Sequence, residues 1–114
     1  MSHGSVWRVV VCGDPGSDDH LHKKLEHLLR HQRGRGAWPI LLTDQAAARE
    51  YARYHGYGTE ALPEADGLGR ADALVAFWDL SADDPVKDLV EAALGRGLPA
   101  RVVPPAGPPP EADG

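Results

Sequence analysis

The sequence predicts an α/β domain, a three-layer sandwich with a five-stranded, mainly parallel sheet and helices on both faces. Three observations carry this expectation. Residues 71–103 read as strand, helix, strand: Leu74-Val75-Ala76-Phe77-Trp78 is a continuous apolar run, the pattern of a strand buried on both faces. Val86, Leu89, Val90, Ala93 and Leu94 then recur at helical spacing, and a unit of that length joins parallel strands through a right-handed crossover. The first half of the chain repeats the strand–helix order, and 114 residues suffice for one compact core but not two.

Each element has a local reason. Residues 6–12 (VWRVVVC) are apolar and largely β-branched, hence a strand. Gly13-Asp14-Pro15-Gly16 is a tight turn. Ser17 or Asp18 caps the next helix, whose core stripe is Leu21, Leu25, Leu28 and Leu29, and Arg33-Gly34-Arg35-Gly36 ends it in a basic loop. Residues 38–42 form a second strand with Pro39 near its start, where a missing donor costs least. Thr43-Asp44 is expected to cap a helix carrying Ala47, Ala48, Tyr51, Ala52 and Tyr54, which Gly56 stops. Residues 57–62 are a weaker third strand, and 63–70 a loop or a single helical turn. Pro85 suits the first turn of the last helix, Gly95 or Gly97 its end, and residues 99–103 the fifth strand. The domain therefore spans 1–103. Residues 104–114 (PPAGPPPEADG) form a Pro-rich tail with no apolar face, expected to be extended or disordered and dispensable for stability.

Composition excludes several classes. A net charge of −5 offers no global attraction to nucleic acid. No apolar run approaches the roughly 20 residues of a membrane span. The first residues lack the pattern of a secretory signal. The lone Cys12 forms no intramolecular disulfide and suits a reducing, cytoplasmic setting.

Four strings then resemble the SLOG superfamily of Rossmann-like nucleotide-binding domains, most closely its small YspA-like branch. They are Val10-Val11-Cys12-Gly13, the run from Tyr54-His55-Gly56 to Pro63, the run from Ala71 to Asp79, and the closing passage from Gly95 to Val103. The resemblance implies a Rossmann-like fold and nucleotide binding. The chain departs from the family where phosphate would sit. Gly13-Asp14-Pro15 stands for Gly-Ser-Arg. Thr43-Asp44-Gln45 stands for a glycine-rich loop. Leu80-Ser81-Ala82-Asp83-Asp84-Pro85 stands for a glycine-rich turn, and Gly67-Leu68-Gly69-Arg70 for a basic residue and an asparagine. Phosphate cradles need exposed backbone N–H groups and a cation; this chain offers carboxylates.

Open parallel sheets bind ligands at the carboxyl ends of their strands. The expected ligand site is therefore Gly13, Asp14, Gly16, Ser17, Thr43, Asp44, Trp78, Asp79 and Ser81, with Trp78 able to stack on a ring. Asp14, Asp44 and Asp79 directly follow strands, and Asp18, Asp19, Asp83 and Asp84 lie just beyond; several could meet and share Mg²⁺, although helix capping also explains aspartates at these places. His20, His27 and His31 share a stripe of the first helix with Lys24, while His22 points elsewhere. Two such histidines make an incomplete metal shell, and His55 is a helix-terminal residue favoured by the dipole. Ser17 and Ser81 lack a nucleophile-elbow context. Cys12 reads as a small apolar residue. The favoured function is a non-catalytic domain binding a nucleotide or nucleotide derivative, expected as a homo-oligomer without membrane or nucleic-acid partners. The alternatives are an enzyme hydrolysing a nucleotide or N-glycosidic bond, with catalytic residues unknown, and an interaction subunit with a vestigial pocket.

Overall fold

The computed structural model describes residues 5–34 and 36–106, apart from the side chains of residues 5 and 31–34. Five strands, β1 (Ser5–Gly13), β2 (Ala37–Leu42), β3 (Gly58–Glu60), β4 (Ala73–Phe77) and β5 (Ala100–Val103), form one sheet in the order β3-β2-β1-β4-β5. Every pairing is parallel, with Val10 opposite Leu42 and Leu74. The expectation of a mainly parallel sheet is thus exceeded. Helices α1 (Asp18–Gly34), α2 (Ala46–His55) and α3 (Val86–Gly95), with a 3-10 turn (Ala65–Arg70), complete a Rossmann-like three-layer sandwich.

Strand alternation builds both outer layers. Val9 and Val11 of β1 and Val75 and Phe77 of β4 pack with Leu21, Leu25 and Leu29 of α1 and Ala48 and Tyr51 of α2. Val10, Cys12, Leu74 and Ala76 face the other way, onto Val86, Val90 and Ala93 of α3 and Leu68 of the 3-10 turn. This is why the sequence of the central strands shows continuous apolar runs rather than alternation. At the amino end, the Arg8 N–H donates to Asp72 Oδ2 at 2.8 Å and the Asp72 N–H donates to the Arg8 carbonyl at 2.7 Å, which fixes the β1–β4 register.

The helix ends follow local chemistry, with some corrections. Ser17 caps α1: its Oγ accepts the His20 N–H at 3.1 Å. The helix runs through Arg33 and ends at Gly34. Thr43 and Asp44 do not cap α2. The N-cap is Gln45, without a side-chain bond. Thr43 still belongs to the sheet side of the turn, since its N–H donates to the Glu60 carbonyl at 3.0 Å and its Oγ1 accepts the Gln45 N–H at 3.2 Å. The N-cap of α3 is Pro85, and Asp84 before it accepts the Val86 N–H at 3.0 Å. Gly97, with φ of 73°, rather than Gly95, closes α3 in a Schellman motif, the Leu98 N–H reaching the Ala93 carbonyl at 2.9 Å. The third strand shrinks to three residues because Tyr57 closes α2 in the same way and turns into the core.

Beyond β5 the chain doubles back. The Ala106 N–H donates to the Pro15 carbonyl at 2.8 Å, and His20 Nε2 faces the Pro104 carbonyl at 2.9 Å. A Cβ on Gly16 would lie 2.7 Å from the Ala106 carbonyl oxygen. Residues 104–106 therefore strap the β1–α1 turn, while 107–114 lie outside the described residues. Truncation after Ala106 is expected to leave the melting temperature unchanged. Truncation after Val103 removes two hydrogen bonds, each worth about 0.5–1.5 kcal/mol, and should lower it by several degrees in a thermal melt.

Candidate functional site

In the order β3-β2-β1-β4-β5 the chain leaves β1 toward one edge and β4 toward the other, so their adjacent carboxyl ends are the topological switch point. Gly13 ends β1 there with φ of 87°, and a Cβ on it would stand 2.0 Å from the Phe77 carbonyl oxygen. Its glycine is required by the close approach of two strands, which a sequence reading alone takes for a phosphate turn.

Beside this point, on the α3 side of the sheet, opens a crevice of about 640 Å³. The β1 end supplies Gly13 and Asp14, the β2–α2 turn Asp44 and Gln45, and the start of α3 Asp84 and Leu89. Of the expected site residues, Gly13, Asp14 and Asp44 line it. Gly16 and Ser17 sit beyond Pro15, toward the strap and the α1 N-terminus. Thr43 is fully buried beneath the turn. Trp78, Asp79 and Ser81 form a separate loop. There the Trp78 Nε1–H donates to the Ser81 carbonyl at 2.9 Å and Asp79 Oδ1 accepts the Ser81 N–H at 3.0 Å. The Trp78 ring packs against the α3-side core. Asp84, one of the carboxylates expected just beyond the strand ends, also lines the crevice; Gln45, Leu62 and Leu89 are crevice residues that sequence reasoning missed, the strand-to-helix turn holding Gln45 being the available signal.

The crevice is negative, and the backbone donors after β1 and at the start of α3 are engaged, whereas the first turn of α2 carries no side-chain cap. Asp14 Oδ1 accepts the Gly16 N–H at 2.9 Å, Ser17 occupies the first turn of α1, and Asp84 occupies that of α3. The Gln45 side-chain amide donates to the Gly13 carbonyl. Cys12 reports the potential at the floor. Its thiol is pushed up to about 12, first by burial and then by the charges of Asp84 and Asp44. Asp79 moves the other way, its carboxyl held below the usual range by hydrogen bonds from Ser81.

Cys12 is consequently inert. With a pKa of about 12, about one thiol in ten thousand is thiolate at pH 8. Ellman's reagent at pH 8 is expected to leave the native protein unlabelled and to label it fully in guanidinium. The folded chain holds this proton more tightly than the unfolded chain. The associated stability is therefore complete below the ordinary value of 9.0 and lost as pH rises toward about 12.

The histidine stripe does not assemble. His20 faces the strap and lies 6.0 Å from the Phe77 ring, whereas His27 lies farther along α1; the His31 side chain is outside the described residues. Among the described residues no three His, Cys, Asp or Glu side chains come together to hold a metal ion. No described helix is long and apolar enough to cross a membrane. No protein-family model matches the chain, and no curated protein matches it in sequence.

Proposed function

We propose that this is a non-catalytic binding domain whose switch-point crevice takes a small uncharged or cationic ligand of nucleoside-like chemistry. The observation that carries the reading is the trio Asp14, Asp44 and Asp84 around a crevice with partly apolar walls. Carboxylates accept hydrogen bonds from hydroxyl and amino groups, and they repel phosphate. At roughly 5 Å and an effective dielectric of about 20, each carboxylate–phosphate pair costs about 3 kcal/mol. Cys12 at the crevice floor supports a binding role, since a buried thiol whose proton is held tightly by burial and by Asp84 and Asp44 is a poor nucleophile. The reading suits a SLOG-like domain in which acidic turns replaced the phosphate cradle, working in a reducing cytoplasm. Adenosine titrated into ¹⁵N-labelled protein should move the amides of Gly13, Asp14 and Gln45 and saturate. Absence of any shift there would reject the reading.

A second reading has one observation in its favour. Gln45 spans the turn and takes the Gly13 carbonyl that a ligand would otherwise use, as expected of an interaction subunit with a vestigial pocket. Gln45→Ala separates the two: under the binding reading it alters adenosine affinity, and under the vestigial reading neither parent nor variant binds.

A further inference from the structure

A second cavity among the described residues lies away from the sheet edge. It is a groove of about 870 Å³ between α1 and α2, within the span of roughly 300–1,000 Å³ typical of small-molecule sites. Its walls are aromatic. The His55 ring lies 4.3 Å from Tyr51 and 5.2 Å from Tyr54, and His22 lies 5.5 Å from Tyr51. Tyr51 is buried and its hydroxyl donates to Glu26 at 2.9 Å, so this wall is fixed. Tyr54, by contrast, is 87% exposed and offers a ring face to a ligand.

The rim carries Lys23, Arg30 and Arg53 against Glu26 and Glu50. Glu26 is already engaged by Tyr51, Arg30 at 3.3 Å and His55 at 3.8 Å. Arg53 forms no ion pair among the described residues, and Lys23 has only a loose contact with Asp19 at 3.8 Å between two mostly exposed side chains. In a chain of net charge −5, two cations, Arg53 and Lys23, thus stand with Glu50 beside the exposed ring of Tyr54. Rings stack on aromatic side chains, and guanidinium groups pair with phosphate or carboxylate.

From this juxtaposition we infer that the α1–α2 groove is a second binding site, for a planar aromatic ligand bearing a phosphate or carboxylate, with the ring on Tyr54, which His55, itself stacked on Tyr57, supports edge-on, and the anion at Arg53 and Lys23. The site is independent of the crevice and of opposite charge preference.

The test titrates AMP, adenosine, phenyl phosphate, benzoate and inorganic phosphate into the ¹⁵N-labelled full chain. AMP should shift the amides of Arg53, Tyr54 and His55 and saturate. Phenyl phosphate or benzoate should compete with it there, showing which anion the groove prefers. At this site adenosine and inorganic phosphate should each bind at least about fivefold more weakly than AMP, because each keeps one half of the recognition. Arg53→Ala and Tyr54→Ala, both at exposed positions, should each weaken AMP about five- to tenfold, whereas Leu94→Ala, exposed on α3 and lining neither cavity, should leave the AMP response unchanged. AMP that fails to saturate, shifts confined to Gly13 and Gln45, or unchanged affinity in the Arg53 and Tyr54 variants would overturn the inference.

Discussion

Replacing Gly13 with alanine is expected to destabilise the fold by about 3–5 kcal/mol, the sum of a left-handed backbone penalty and forced overpacking. The added Cβ would lie 2.0 Å from the Phe77 carbonyl oxygen and 2.9 Å from the Phe77 nitrogen. Both are backbone atoms of a central strand that cannot step aside. For a domain of this size the loss corresponds to a fall in melting temperature of more than roughly 12 °C. Gly36 supplies the control. Its φ is 84°, yet a Cβ there meets nothing within 4 Å. Gly36→Ala should cost only the conformational term, about 1–2 kcal/mol. Equal melting temperatures for the two variants would show that the strands separate to accommodate the methyl group.

Leu25→Ala is the second large effect. Leu25 is completely buried on the face of α1 that packs against β1, β2 and β4, and truncating such a side chain costs about 2–5 kcal/mol, according to how far the site collapses. Leu94, placed on the α3 core stripe by its spacing, is 61% exposed. Leu94→Ala should stay within about 0.5 kcal/mol of the parent. Urea unfolding of both variants measures the difference directly.

These contrasts show what a one-dimensional pattern conveys. The runs in β1 and β4 and the α3–β5 passage were legible because both faces of a central strand are buried and leave no ambiguity of period. The ends were less so. A Thr-Asp pair after a strand reads as a cap, but Thr43 is still engaged by Glu60 of β3, a partner supplied only by the sheet. Leu28 and Tyr54 fit the helical period yet sit at the edge of their stripes, half-buried and exposed respectively. The sheet-edge position of the crevice follows from parallel topology, which places Asp14 and Asp44 on its lining. Asp79 was not brought to it, because its carboxylate closes a turn on Ser81 within its own loop. The α1–α2 groove had no sequence signature, since His22 and Tyr51 lie on different helices and meet only through packing.

Under the proposed reading, the carboxylates around the switch-point crevice keep phosphate out of it. Pyrophosphate titrated in EDTA, followed at the Gly13 and Gln45 amides, tests it without contribution from any ring. Asn at positions 14 and 44 keeps a side-chain acceptor for the Gly16 N–H while removing two charges. The parent should show no saturable shift at either amide, and the Asp14→Asn/Asp44→Asn double variant should acquire one. Saturable shifts at Gly13 and Gln45 in the parent would mean that backbone donors outweigh the carboxylates, and would contradict the account.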